Sequence, residues 1–247
     1  MIFKKKVLWF KTIRYVLEPW PDIAQIKKKF GAIYIVSYDK RNFPGFSVKV
    51  KDTPVIFLNK PLADLFSDFN STSRNEIRKT FDNKITGLKF IIPDPDLEKN
   101  YQLSKEFEYQ QGRVPERLEA YQGCKSFAAY YQGEMISSII CYDNGKVLRA
   151  KAICSKRLLT EDRDFYKIIS YSTRRLVYEI CGYGLENGYE LFDLGSVNFT
   201  KENLAQFKMN FTKDLIKEYT YTYKSLWFRF FEKGVFLKKA LKRLFKA

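Results

Sequence analysis

The sequence predicts a mixed α/β (α+β) fold, a mainly antiparallel sheet flanked by helices. Two observations carry this. Between Ser126 and Cys154, three short apolar runs are separated by Gln132-Gly133 and Asp143-Asn144-Gly145, the turn chemistry of consecutive hairpins. A long helical pattern, the apolar run Leu191 to Leu194, a second helical pattern and an alternating run from Leu215 to Tyr223 follow. The order is strand-strand-strand-helix-strand-helix-strand.

Earlier elements are read the same way. Met1 to Leu17 mixes basic and apolar residues and reads as a basic helix or arm, broken by Pro19, Trp20 and Pro21. It has no clean apolar run and no small-residue cleavage site, so no signal peptide is expected. Gly31 to Ser37 and Val55 to Leu58 are strand candidates, and Pro61 to Phe66 begins a short helix. Residues 1–70 are expected to form a small N-terminal sub-domain, 71–223 the core and 224–247 a separate helix.

Ser73 followed by Glu76 has capping-box spacing and predicts a helix start, with Arg74, Asn75, Arg78 and Lys79 in its first turns. Cations there oppose the helix dipole but suit an anionic ligand, phosphate or pyrophosphate. A solvated basic face fits the pattern equally well. Lys84 to Ile92 reads as a strand ended by Pro93-Asp94-Pro95, and Asp96 to Gln110 as an amphipathic helix. A loop through Gly112, Arg113 and Pro115 then leads to a short helix holding Arg117 and Tyr121. Asp164 to Gly188 is a long helix with an apolar stripe from Ile168 to Ile180 and Gly188 as its C-cap.

Gly188 to Phe211 is the candidate site. Its apolar run is interrupted by Asp193 and stopped by Gly195, as in a buried strand ending at an opening. A helix follows, with Asn198 or Thr200 as N-cap, Leu204, Phe207 and Phe211 on one side, and Lys208 free to point back toward the strand end. A carboxylate, a glycine loop and a lysine at a strand's C-terminal end can form a site. A plain strand-helix unit with a solvated lysine satisfies the same spacing. Asp193 is the acid best placed for catalysis, or a carboxylate capping the amides of its own loop.

Composition narrows the chemistry. The 247 residues contain 44 Lys and Arg against 28 Asp and Glu, a net charge of +16, which implies an anionic partner: nucleic acid, membrane surface or phosphorylated substrate. No histidine is present, which excludes Ser-His-Asp and Cys-His catalysis. The four cysteines are far apart with no Cys-x-x-Cys pair, and no metal site is expected. No uncharged apolar run approaches the ~18 residues of a membrane span. From Lys224 to Ala247, Trp227, Phe230, Phe231 and several leucines alternate at helical spacing with cations including Lys238, Lys239, Lys242 and Arg243. Such a helix suits an anionic membrane surface, or packs on the domain's own core with a solvated basic face.

The strand and helix order resembles the GNAT acyltransferases. Within them, Ser73 to Lys79 (Ser-Arg-Asn-Glu-Ile-Arg-Lys), Gly188 to Gly195 (Gly-Tyr-Glu-Leu-Phe-Asp-Leu-Gly) and the Phe207-Lys208 pair resemble the Fem-type transferases and related GNAT-like proteins of polysaccharide-biosynthesis clusters. Fem-type enzymes use aminoacyl-tRNA to add amino acids to peptidoglycan precursors. The resemblance implies that Lys208 stabilises an oxyanion or leaving hydroxylate beside Phe207, and that Arg74 and Arg78 lie near an anionic part of the substrate. It implies that Arg117 and Tyr121 match an acceptor-phosphate pair, and that Ala150 to Ile153 offers backbone N–H groups to the donor carbonyl.

The implied activity is acyl or aminoacyl transfer to an amino group of a lipid-linked cell-envelope glycan or peptidoglycan precursor, by a peripheral protein at the cytoplasmic membrane face. No permanent cofactor is implied, and the donor is acyl-CoA or aminoacyl-tRNA. The loop Ser155 to Glu161 has no glycine-rich pyrophosphate cradle. A non-catalytic basic module binding RNA or membrane is the alternative.

Overall fold

The computed structural model describes residues 1–81, 84–197, 200 and 202–233. The chain divides into two compact units, one formed by Met1–Lys51 with Lys217–Ala247, the other by Asp52–Ile216. The expected divisions after residues 70 and 223 differ from these. Residues 52–70 pack with the second core, and most of the last strand joins the first unit.

In the first unit the strands run β1 (Ile2–Val7), β2 (Phe10–Val16), β3 (Ala32–Ser37) and then β10 (Leu215–Lys224), whose first two residues belong to the second unit. The basic helix or arm expected for Met1 to Leu17 is instead the β1–β2 hairpin. Thr12, Ile13, Tyr15 and Val16 are β-branched or aromatic and buried there, which favours a pleated, half-buried strand over a helix. Ile13, Tyr15, Ile33, Ile35 and Tyr221 form a core closed by Ile26 of α1 (Ile23–Lys29).

The second unit orders its strands as β4 (Ser47–Phe57), which enters from the first unit, β9 (Leu191–Asp193), β8 (Val147–Ser155), β7 (Glu134–Asp143), β6 (Lys125–Tyr131) and β5 (Leu88–Asp94). All neighbours are antiparallel except β8 with β9. The meander follows the expected turns, and Gly145 takes φ +84 as its Asn-Gly turn requires. Strand β5 continues through Pro93, where the sequence suggested a stop.

Alternation along β7 assigns the two faces. Ser137 meets Thr173 of α5 (Arg163–Glu186), while Ser138 meets Asn100 of α4 (Leu97–Gln110). Helices α2 (Leu62–Asp68), α3 (Ser71–Arg78) and α5 cover one face, α5 packing Leu176 and Ile180 with Phe127, Ile139, Leu148 and Phe192 of the strands. On the other face, buried Asp94 ties α4 to the sheet, accepting from Asn100 Nδ2 at 3.0 Å and Tyr130 Oη at 2.9 Å.

Helix α3 is capped by Asn70, whose Oδ1 accepts from the Ser73 N–H at 2.7 Å, so the expected Ser73–Glu76 capping box does not form. The helix therefore starts earlier, and Arg78 lies in its last turn, where its charge favours the dipole. The misplaced charge that pointed to an anion site is absent for Arg78.

Asp94→Ala removes the carboxylate that accepts from Asn100, Tyr130 and the Asp96 N–H and should destabilise the protein by about 2–4 kcal/mol, measured by urea unfolding.

Candidate functional site

The β8–β9 ladder is short. It pairs Val147 to Arg149 with Leu191 to Asp193, after which β8 continues to Ser155 while β9 stops. The strands part at this point, and the chain leaves β9 through Gly195.

Asp193 closes the ladder and is fully buried. Its Oδ2 accepts from Arg149 Nη1 at 2.7 Å. Its Oδ1 accepts from the Thr53 hydroxyl and from the Gly195 N–H, the latter at 2.6 Å. Gly195 has φ +78, and a Cβ there would lie 3.1 Å from the Ala150 carbonyl oxygen and 3.3 Å from Lys208 Nζ. Only glycine fits this approach.

Lys208 lies on α6 (Glu202–Met209), only 7% exposed, and donates from Nζ to the Gly195 carbonyl at 2.8 Å and the Ser196 carbonyl at 3.1 Å. The lysine thus reaches the strand end, as its spacing suggested, but from a buried position. Phe207 and Phe211 turn inward as expected, their ring centres 5.2 Å apart, whereas Leu204 is 46% exposed and Ala205 is buried in its place. Of the expected N-caps, Asn198 lies outside the described residues.

The separate motifs meet around α6. Asn210, just beyond α6, accepts at its backbone oxygen from the Asn70 N–H at 2.8 Å and at Oδ1 from Asn70 Nδ2 at 2.7 Å. Arg174 of α5 pairs with Glu76 at 3.0 Å and lies 5.7 Å from the Phe207 ring centre. Burial pulls the Arg174 pKa down, opposed by Glu76. Arg74 donates to the Ser67 carbonyl at 2.8 Å. Arg78 and Asn75 are exposed and bonded to each other at 3.2 Å.

Arg117 and Tyr121 make their contacts elsewhere. Tyr121 ends a 3-10 turn (Leu118–Tyr121), is buried, and packs on Tyr101 with ring centres 5.2 Å apart, while Arg117 is exposed. Beside them is Lys151, which the sequence reading missed. It sits where the β7–β8 register shifts and donates to Glu116 at 2.6 Å and to the Tyr142 hydroxyl at 2.9 Å. Burial pulls the Lys151 pKa down, but Tyr142 and Glu116 together raise it above the ordinary lysine value. Arg149, Thr53 and Arg174 were also missed. The available signal was a pair of cations, Arg149 and Lys151, inside an otherwise apolar strand.

Past β8, a 3-10 turn (Lys156–Leu159) leads to α5, whose N-cap Asp162 accepts from the N–H groups of Asp164 at 2.8 Å and Phe165 at 3.2 Å. These amides are satisfied internally, and two carboxylates occupy the helix start. A surface cavity of about 530 Å³ lies between α4 and the β6–β7 turn, lined by Lys99, Glu106, Gln132, Glu134 and, from the 3-10 turn, Lys156. Among the described residues, no cluster of three cysteine or carboxylate side chains could hold a metal ion.

No family model matches the chain, and no curated protein matches it in sequence. Solved structures do match. The chain resembles FemX with TM-score 0.62 and 13% identity over 89% of this chain and 83% of that one. It resembles the C-terminal domain of a putative lysylphosphatidylglycerol synthetase from Agrobacterium fabrum with TM-score 0.55 and 14% identity, covering 91% and 81%. A conserved protein of unknown function from Bacteroides thetaiotaomicron matches with TM-score 0.55 and 13% identity over 90% and 82%. The chain therefore has the fold of FemX, the Fem-like fold that the motifs suggested.

Two outcomes follow from the site. Arg149→Ala leaves the buried Asp193 carboxylate short of its cation and should cost about 3–5 kcal/mol in urea unfolding. Burial pushes the Cys124 thiol from 9.0 to about 12, so at pH 8 its thiolate fraction falls about 1,000-fold. Cys141, Cys154 and Cys181 are buried with raised pKa values as well. Native protein at pH 8 should label negligibly with a thiol reagent in the time that urea-unfolded protein labels all four cysteines.

Proposed function

We propose that the protein is an acyl- or aminoacyltransferase that moves an acyl group to an amino group of a lipid-linked envelope glycan or peptidoglycan precursor at the cytoplasmic membrane face. One observation carries this reading. The buried Lys208 ammonium stands at the point where β8 and β9 part, held against the Gly195 and Ser196 carbonyls.

In the reaction the acceptor nitrogen attacks the donor carbonyl carbon and the carbonyl π electrons move to oxygen. Lys208 turns from the loop carbonyls to that oxyanion, or to the leaving oxygen, and stabilises it electrostatically. Collapse forms the amide and expels the tRNA ribose hydroxyl or the CoA thiol. The proton lost by the amine passes, through water or a carboxylate, to that leaving oxygen or sulfur. Asp193, held by Arg149, Thr53 and Gly195, acts by positioning the loop. Arg74, Asn75 and Arg78 serve acceptor phosphates, and Phe207 flanks the meeting point of the substrates.

The start of α5 favours aminoacyl-tRNA over acyl-CoA as donor. Asp162 already fills the amides that would cradle a pyrophosphate, and Asp164 adds repulsion.

One observation favours a non-catalytic RNA- or membrane-binding module instead: the heads of Lys208 and Asp193 are both bonded within the fold. A single experiment separates the two. Radiolabelled aminoacyl-tRNA and acyl-CoA are each offered with lipid-linked amino-sugar and peptide precursors. Transfer from tRNA is expected, with kcat about 100-fold lower in Lys208→Ala and partly restored in Lys208→Arg. Stability should fall by only ~1–3 kcal/mol in the alanine variant. No transfer from either donor, with unaltered RNA or vesicle binding in Lys208→Ala, would establish the module.

A further inference from the structure

The first unit carries an apolar surface that the transfer chemistry does not use. β1 and β2 are joined by the turn Leu8-Trp9, whose side chains are 60% and 75% exposed. Phe10, the next residue, turns inward, its ring 5.3 Å from Phe228 and 5.4 Å from Phe231. Those rings belong to the helical segment 226–233, so the hairpin and this segment share one aromatic cluster. With Phe228 and Phe231 committed inward, helical spacing directs Leu226, Trp227 and Phe230 outward, at 65%, 74% and 56% exposed. Phe231 is half-buried in this cluster. Lys238, Lys239, Lys242 and Arg243 lie outside the described residues.

The charges around this surface are all of one sign on the hairpin. Residues 2–16 contain no acid, and Lys4, Lys5, Lys6 and Lys11 are exposed. Lys6 stands directly opposite Lys11 in the ladder, a like-charge pair that weakens the hairpin. Arg229 and Lys233 add exposed cations beside the outward rings.

We propose that this two-segment surface docks the protein on an anionic phospholipid bilayer. The Leu8-Trp9 turn and the Leu226, Trp227 and Phe230 side chains enter the interfacial region, and the lysines and Arg229 rest on lipid phosphates. Exposed leucines at both segments suit hydrocarbon and have no counterpart in stacking on nucleic-acid bases. The inference rests on the membrane-face part of the proposed function, which it gives a surface, and is independent of Lys208.

The test uses the full chain with phosphatidylcholine vesicles, with and without phosphatidylglycerol. Binding is expected only with the anionic lipid and should weaken with salt. Brominated lipid should quench Trp9 and Trp227, whereas Trp20, packed on Phe43 and Tyr221, is the internal control. Trp9→Ala and Trp227→Ala should each lower vesicle affinity at least about tenfold with an unchanged unfolding midpoint. Native-like binding by both variants, equal binding to neutral vesicles, or retention on RNA with no vesicle binding would each overturn the proposal. Loss of vesicle binding with transfer to detergent-solubilised acceptor intact would support it and leave the transferase reading standing.

Discussion

A single buried carboxylate holds the second unit's site together. Taking Asp193 out of water costs several kcal/mol unless its oxygens are matched by donors. Arg149 from β8, Thr53 from β4 and the Gly195 amide supply that match. One side chain therefore joins both neighbouring strands to the first turn of the exit loop. It also fixes where β9 stops, and so where β8 loses its parallel partner. The Gly195 and Ser196 carbonyls turn toward Lys208 from that fixed loop.

Around this node, charge and aromatic surface work together. Arg174 bridges Glu76 of α3 and the ring of Phe207 on α6, while Asn70 and Asn210 join the ends of the same two helices. These contacts bring residues distant in sequence to one region. On β8, Lys151 anchors Glu116 in the same way, beside the Arg117–Tyr121 turn. The first unit has its own device, the Phe10–Phe228–Phe231 cluster, which turns Leu226, Trp227 and Phe230 outward.

Local signals carried much of the architecture. The meander was legible because an Asn-Gly turn needs positive φ and hairpins alternate with period two. Helix α5 was legible because a stripe from Ile168 to Ile180 has only one buried solution. The hairpin at the start was misread because lysine-rich strands with one buried face lose the alternation in their exposed half. The α3 start was misread because two capping arrangements overlap, and the link between Asn70 and Asn210 selects the earlier one.

By itself the sequence determined the order of elements from Ser126 to Tyr223, the exclusion of histidine chemistry, the basic character and the adjacency of Phe207 and Lys208, since each depends only on residue type and near spacing. Tertiary structure alone decided that Asp193 is enclosed by Arg149, Thr53 and Gly195, that Lys208 is buried against its loop, and that Glu76 serves Arg174 rather than a helix cap. Burial and long-range pairing set the role of a charged group. Neither is encoded in its immediate neighbours, because the desolvation that gives such a pair its strength exists only after distant strands and helices have closed around it.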